Sequence, residues 1–227
     1  MASKLVEEIQ KNIQTVRDKT ASKIAYSLLN HSEPRLIAVS KVQPIEKIDA
    51  ALEVGQRVFG ENRVQEAEER WAPRREAYKD LTLILIGSLQ TNKVSNAVAL
   101  FDEIQSLDRI KLARSLKKEM TNQGKNIPLM IQVNTGCEEQ KGGCLPQDLN
   151  ALVAECEALD LNVVGLMCIP TAGEDPSLHF HLLKKLATIY GYEKLSMGMS
   201  GDYDLAAAMG SSDIRVGTAI FGARIST

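Results

Sequence analysis

The sequence predicts an α/β fold, a single (β/α)8 barrel of the TIM type with one extra N-terminal helix. Short apolar runs alternate with helical patterns along the chain, which is typical of a parallel sheet whose crossovers are helices. Eight such runs occur, the number that closes a barrel of this type. The 227 residues suffice for one barrel with a full core. We therefore predict one domain over 1–227, and an open, doubly wound sheet is the main alternative.

The N-terminal segment, residues 1–30, has the pattern of an amphipathic helix that packs on the barrel. Its apolar residues recur at steps of three or four, or multiples of them, and are Leu5, Ile9, Ile13, Val16, Ile24 and Leu28. The spacing places these side chains on one helical face, which predicts that this face is buried.

The remaining elements alternate in order. Strands are predicted at 35–40, 57–60, 81–86, 103–106, 129–133, 163–168, 195–196 and 214–216. Helices are predicted at 44–54, 64–77, around 93–98, 108–122, 146–159, 177–190 and 202–209. No linker, internal repeat or low-complexity tract interrupts this alternation.

Composition excludes several classes of function. The formal net charge of −2 argues against a nucleic-acid-binding protein, and no apolar stretch approaches membrane-spanning length. The N-terminus lacks a secretory signal, so we expect a cytoplasmic monomer with reduced cysteines. The three histidines do not suggest a metal site, and His179 and His181 are interpreted as surface residues.

Lys41 is the leading chemical candidate. It closes the first apolar run, and Pro44 opens the following helix, so its amine is predicted at the C-terminal mouth of the first strand. A partly desolvated amine there can attack a carbonyl and form a Schiff base. By itself the position is a weak signal, because a lone lysine after a strand is more often structural or solvated.

Two segments near the C-terminal end of the sequence have the features of a phosphate site. Ser200 and Gly201 precede a predicted helix, and Gly217 and Thr218 supply backbone donors and a hydroxyl before another helical turn. In (β/α)8 barrels, the loops after strands 7 and 8 commonly bind phosphate. Two ordinary strand-to-helix turns would explain the same residues without a ligand.

Five segments together resemble the pyridoxal phosphate (PLP) homeostasis protein family, also called the YggS/PROSC family. They are Ala38-Val-Ser-Lys41, Phe59-Gly-Glu-Asn62-Arg-Val-Gln-Glu, Gly87-Ser-Leu-Gln-Thr-Asn-Lys93, Ser196-Met-Gly-Met-Ser-Gly-Asp202 and Arg215-Val-Gly-Thr-Ala-Ile-Phe-Gly222. The resemblance covers nearly the whole chain. It implies a barrel like the alanine racemase N-terminal domain, without that racemase's C-terminal β domain.

The resemblance also implies roles for individual residues. The implied cofactor-binding residues are Lys41 as the Schiff-base lysine, Asn62 near the cofactor's 3-oxygen, Ser200, Gly217 and Thr218 around the phosphate, and Arg215 facing the pyridine nitrogen. The sequence departs from the family's pattern at 83–86, where Ile84 occupies a position that is usually histidine. No imidazole is therefore expected beside the cofactor.

The expected chemistry is weak. An arginine at the pyridine nitrogen disfavours protonation of the ring, which is the electron sink of PLP catalysis. The expected lack of a second domain also removes the racemase's second base. We therefore expect a protein that holds or delivers PLP to PLP-dependent apoenzymes, with weak side activity at most. The alternatives are an amino-acid racemase, a class I aldolase-like barrel, whose lysine usually lies on a late strand, and a scaffold without a ligand.

Overall fold

A computed structural model describes residues 2–27 and 32–223, and in this part of the chain eight parallel strands form a closed barrel in chain order. The strands are β1 (Arg35–Val39), β2 (Val58–Glu61), β3 (Thr82–Leu85), β4 (Glu103–Leu107), β5 (Leu129–Val133), β6 (Val163–Cys168), β7 (Lys194–Ser196) and β8 (Asp213–Val216). Because β8 pairs with β1, the sheet closes, and the predicted barrel is confirmed over the doubly wound alternative.

Helices connect the strands on the outside of the barrel. They are α1 (Ala2–Ala25), α2 (Ile45–Glu53), α3 (Val64–Ala77), α4 (Val94–Leu100), α5 (Ile110–Asn122), α6 (Leu149–Ala158), α7 (Pro176–Ile189), α8 (Tyr203–Ala208) and α9 (Thr218–Phe221). Two 3-10 turns, Thr91–Lys93 and Pro146–Asp148, precede α4 and α6. The predicted strands and crossover helices are all present, with bounds displaced by at most a few residues.

Helix α1 covers less of the chain than predicted. It ends at Ala25 rather than near residue 30, and residues 28–31, including the predicted face residue Leu28, lie outside the described residues. The predicted packing is present, because Ile9, Ile13 and Val16 are buried and α1 contacts α2, α8 and α9.

The barrel interior has an apolar half and a polar half. Ile37 and Val39 of β1 pack against Ile84 and Ile86 at β3, forming an apolar cluster separate from the outer core. Ile84, at the position where histidine was expected from the family's pattern, is fully buried in this cluster. Buried polar residues occupy the side formed by β4, β7 and β8, and are Glu103, Gln105, Ser196, Asp213 and Arg215.

The prediction of a surface position is wrong for His179 and correct for His181, which is exposed. His179 is 4% exposed, because it lies four residues before the buried Leu183 and shares its helical face. Its Nδ1 is 2.9 Å from the Thr135 hydroxyl oxygen, and its Nε2 is 3.0 Å from a Glu174 carboxylate oxygen.

The described residues contain no cluster of side chains suited to a metal ion, and none of their helices is long and apolar enough to cross a bilayer. The four cysteines are unpaired; Cys137 is exposed and the other three are buried. Burial raises the pKa of Cys168 to about 12, in agreement with its interpretation as a small core residue.

Candidate cofactor site

A cavity of about 290 Å³ opens at the C-terminal ends of the strands. All six residues that the sequence singled out line it, together with Val39, Gln43, Ile86, Ile169, Met199 and Gly201. These residues come from loops that are distant in sequence, and closure of the barrel brings them together. A larger cavity of about 510 Å³ lies at the opposite end of the barrel, and no lysine is among the described residues that line it.

Lys41 lies in the turn that directly follows β1. The turn is closed by a hydrogen bond from the Gln43 backbone N–H to the Ser40 carbonyl oxygen, at 3.1 Å. Lys41 is half-buried and lines the cavity, as its predicted position at the strand mouth requires.

Asn62 follows the last residue of β2 and presents an unsatisfied polar atom. Its side-chain oxygen is buried and finds no hydrogen-bond donor among the residues that the structure describes. Buried polar atoms are nearly always paired, so an orphan in a cavity favours a ligand that pairs with it. The amide has both donor and acceptor ends, and a half-turn of the group exchanges them.

The loops after β7 and β8 are joined through Ser200. Its hydroxyl oxygen accepts hydrogen bonds from the backbone N–H groups of Gly217, at 3.2 Å, and Ala219, at 3.3 Å. Thr218, the first residue of α9, is exposed beside them. Two hydroxyls, of Ser200 and Thr218, and two backbone N–H groups thus lie on one side of the cavity, an arrangement suited to an anion.

Ser200 and Gly201 precede a helix, as predicted. Helix α8 begins at Tyr203 with Asp202 at its N-cap position, so Ser200 and Gly201 lie in the turn before it. The Asp202 carboxylate accepts a hydrogen bond from the Met199 N–H at 2.6 Å and so stabilises this turn.

Arg215 is buried in the barrel interior and reaches the floor of the cavity. Its guanidinium donates to the Ser196 hydroxyl at 2.6 Å and to the Cys168 carbonyl oxygen at 2.7 Å. Burial lowers the pKa of Arg215, and the charge of Asp213 acts in the opposite direction. Two good hydrogen bonds fix the direction of the guanidinium, because its donors form a rigid fork.

The contacts of Arg215 continue across the barrel. The Ser196 hydroxyl donates to the Gln105 side-chain oxygen at 2.6 Å, and the Gln105 amide nitrogen donates to Glu103 and Asp213, each at 2.7 Å. Both carboxylates also accept from Arg35 at 2.8 Å. Because the amide nitrogen faces two carboxylates, its oxygen must face Ser196, so every hydrogen bond in the chain has a defined direction.

This network was not predicted from the sequence, although the strands carry a signal for it. Glu103 and Gln105 alternate with Ile104 in β4, and Asp213 and Arg215 alternate with Ile214 in β8. Alternate residues of a strand share one face, and in a barrel that face is the interior. Polar alternation in a buried strand therefore indicates a polar interior.

The four cysteines should differ in their reactivity towards an alkylating agent. Alkylation at pH 8 should modify Cys137 and spare Cys144, Cys156 and Cys168, because the last three are buried and their thiol pKa values are each raised to about 12. Burial favours the protonated form of these three thiols. Their preference for the protonated form therefore stabilises the folded protein fully below the unfolded thiol pKa of about 8.5, and this stabilisation decreases as the pH rises towards 12. Mass spectrometry of tryptic peptides after timed iodoacetamide treatment measures the pattern, and rapid alkylation of Cys168 in the folded protein would contradict it.

Gly87 allows the close approach of two loops at the site. A Cβ on Gly87 would lie 2.2 Å from the Asn62 carbonyl oxygen, so Gly87→Ala should force the backbone apart. We expect a loss of about 1–3 kcal/mol in the free energy of unfolding, measured by urea titration. Gly201→Ala is the matched control, because its Cβ would meet no atom within 4 Å. Equal stabilities of the two variants would contradict the prediction.

Known proteins match this chain over most of its length. Residues 6–225 match the family described as alanine racemase, N-terminal domain. A pyridoxal phosphate homeostasis protein of Vibrio alginolyticus is 38% identical over 201 residues, which cover 84% of this chain and 86% of that protein. A protein of the same name from Escherichia coli K12 is 33% identical over 229 residues, which cover 96% of this chain and 98% of that protein.

A solved structure gives the same result. PipY of Synechococcus elongatus, solved with PLP bound, is 34% identical, covers 94% of this chain and all of its own, and superposes with a TM-score of 0.79. The fold, the extent of the match and the named relatives agree. The chain therefore belongs to the alanine racemase N-terminal domain family and, within it, to the family of pyridoxal phosphate homeostasis proteins.

Proposed function

We propose that the protein binds PLP in this cavity, holds it covalently through Lys41, and serves vitamin B6 homeostasis by storing or delivering it. The observation that carries the proposal is that one cavity collects an amine, two loops joined through a hydroxyl and backbone N–H groups, a fixed guanidinium and an orphaned amide oxygen. The names of the relatives and the PLP-bound relative support it.

The chemistry of attachment needs little from the protein. In its neutral form the Lys41 amine attacks the aldehyde carbon, a C=N bond replaces the C=O bond, and one water is released. We assign the phosphate to Ser200, Gly217 and Thr218, and the ring nitrogen to Arg215. Asn62 would pair with the 3-oxygen, while Val39, Ile86 and Ile169 supply apolar surface for the ring.

Arg215 is the reason that we propose little turnover. Bound PLP supplies an electron sink, and that sink is effective when the ring nitrogen is protonated. A guanidinium beside the ring nitrogen would repel such a proton. The hydrogen bonds to the Ser196 hydroxyl and the Cys168 carbonyl hold the Arg215 guanidinium in its position at the cavity floor. Holding the cofactor for PLP-dependent apoenzymes is the function that remains.

Borohydride trapping tests the assignment of the lysine. The protein loaded with PLP should be yellow, and reduction should leave a pyridoxyl group on Lys41, which peptide mass spectrometry locates. Recovery of the group mainly on Lys93 or Lys141 would overturn the assignment.

Ser200→Ala should weaken PLP binding by about tenfold. The variant removes one hydroxyl that links the two anion-binding loops, and one such hydrogen bond contributes about 1.4 kcal/mol. Equilibrium dialysis measures the change. Ser115→Ala is the matched control, because the Ser115 hydroxyl donates to the Lys111 carbonyl on the outside of α5, away from the cavity. The Ser115→Ala protein should bind PLP with the affinity of the wild type. An unchanged affinity in Ser200→Ala would remove Ser200 from the proposed site.

Turnover with amino acids should be absent or slow. Racemisation, transamination and decarboxylation of the common amino acids all use the electron sink that Arg215 opposes. Coupled assays and chiral chromatography measure the three reactions. A kcat near the enzyme median of about 10 s⁻¹ for any of them would favour the alternative, an amino-acid racemase-like enzyme.

A further inference from the structure

A buried carboxylate lies directly behind the cavity and is not part of its lining. Glu61, the last residue of β2, is fully buried, and one of its oxygens accepts three hydrogen bonds. The donors are the Ser40 hydroxyl at 2.7 Å, the Arg70 guanidinium at 2.8 Å and the Trp71 indole N–H at 3.0 Å. The carboxylate therefore connects β1, β2 and α3 at one point.

This arrangement is a poor choice for stability alone. Arg70 balances the charge of Glu61, but removing an ion pair from water costs about as much as the pairing returns. The second carboxylate oxygen of Glu61 is buried and has no hydrogen-bond partner among the described residues, which adds to the cost. An apolar pair of similar size would stabilise the barrel equally well, so the value of the pair lies in the geometry that it imposes.

The hydrogen bonds of Glu61 fix the backbone next to two residues that line the cavity. Lys41 directly follows Ser40, and Asn62 directly follows Glu61. The Ser40–Glu61 hydrogen bond thus fixes the origin of both chain segments that enter the cavity. Arg70 adds a second contact, since it also donates to the Ser40 carbonyl oxygen at 3.3 Å.

The turn that carries Lys41 is strained. Val42 has a φ of 59°, a left-handed conformation that is unfavourable for a β-branched residue, and it is exposed, so packing of its own side chain does not hold it there. Such a conformation persists only where the surroundings impose it. Three hydrogen bonds of Ser40 hold this turn. The Ser40 carbonyl oxygen accepts from the Gln43 N–H and from Arg70, and the Ser40 hydroxyl donates to Glu61.

We propose that Glu61 is a positioning residue, which, with Arg70, clamps Ser40 and so directs the Lys41 amine towards the cofactor aldehyde. The inference rests on the proposed attachment of PLP to Lys41 and extends it to residues that do not touch the cofactor. Loss of the clamp should slow condensation of the amine with the aldehyde, the step that releases water. Binding of the phosphate should be unchanged, because its proposed partners lie on the loops after β7 and β8, and the phosphate supplies most of the affinity expected for a phosphorylated ligand.

Two measurements separate these effects. The rate of covalent loading is followed by quenching with borohydride at successive times and quantifying pyridoxyl-Lys41 by mass spectrometry. Affinity for the preformed site is measured with pyridoxine 5′-phosphate, which carries the ring and the phosphate but has an alcohol in place of the aldehyde. A general loss of structure would change both quantities, whereas loss of positioning changes the first.

Glu61→Gln and Ser40→Ala are the test variants. Glu61→Gln keeps the shape but removes the charge that holds Arg70, and Ser40→Ala removes only the link to the turn while leaving the Glu61–Arg70 pair in place. We expect loading on the order of tenfold slower in each, since a displacement of about 1 Å at a reacting group can cost on the order of 100-fold. Affinity for pyridoxine 5′-phosphate should stay within about twofold of the wild type, well under one hydrogen bond.

Asp49→Asn is the matched control. Asp49 of α2 pairs with Arg74, one turn after Arg70 on α3, so this ion pair also anchors α3, but it joins α3 to α2 on the surface and does not involve Ser40. It should load at the wild-type rate. Wild-type loading rates in both Ser40→Ala and Glu61→Gln would overturn the positioning role while leaving PLP attachment intact. Absence of label on Lys41 in the wild type would overturn both proposals. Should Glu61→Gln fail to fold, Ser40→Ala decides the question.

Discussion

Replacing Lys41 with alanine should abolish covalent attachment of PLP while the barrel stays folded. Among the described residues that line the cavity, Lys41 is the lysine, and no other has an amine that could condense with the aldehyde. The side chain is half-buried in a turn at the barrel mouth and is not part of either apolar cluster. Its removal therefore eliminates the bond without creating a cavity in the core.

Three measurements on Lys41→Ala check this result. The absorption band of the bound cofactor should disappear, borohydride should fix no pyridoxyl group in the cavity, and thermal unfolding should match that of the wild type. Lys93→Ala is a suitable control, since Lys93 belongs to the 3-10 turn after β3 at the same end of the barrel but does not line the cavity. It should load normally. Undiminished covalent labelling of Lys41→Ala would show that another lysine is the attachment site.

Pyridoxal, which lacks the phosphate, should bind on the order of 100-fold more weakly than PLP, or weaker still. The Ser200 hydroxyl and the N–H groups of Gly217 and Ala219 lie within one small region, and hydrogen bonds to a charged group contribute about 1.5–3 kcal/mol each. Loss of two such bonds amounts to about 3–6 kcal/mol, which exceeds two powers of ten in the dissociation constant.

Competition distinguishes this explanation from a nonspecific one. Inorganic phosphate should displace pyridoxine 5′-phosphate but should have no effect on the binding of pyridoxal, because the proposed cradle is empty in that complex. Titrations of the two ligands with and without phosphate measure the difference. Equal affinities for pyridoxal and PLP would show that the converging donors of the loops after β7 and β8 do not bind the phosphate.

A cellular experiment addresses the proposed role. Deletion of the gene should disturb several PLP-dependent pathways together, and complementation should require Lys41. Rescue of the deletion by the product of one metabolic step would favour the enzyme alternative.

The sequence by itself determined the barrel and identified six of the residues that line the cavity. Strands β5 and β6 and helix α3 have the predicted bounds, since each is a run long or apolar enough for local pattern to decide. Lys41, Ser200, Gly217 and Thr218 follow strands, and Arg215 is the last residue but one of β8. In a parallel barrel all such ends lie on one rim, so their meeting in one cavity follows from strand order.

Tertiary structure alone decided the environments of these residues. Gln105, Ser196 and Asp213 meet across the barrel interior, and Ser40 meets Glu61 and Arg70, at separations in sequence that no local pattern encodes. His179 was misassigned for the same reason, because its burial depends on Thr135 and on the packing of α7. Periodicity identifies which face a residue occupies, but only closure of the barrel determines which side chain lies opposite, and that partner sets the charge and direction of each group in the site.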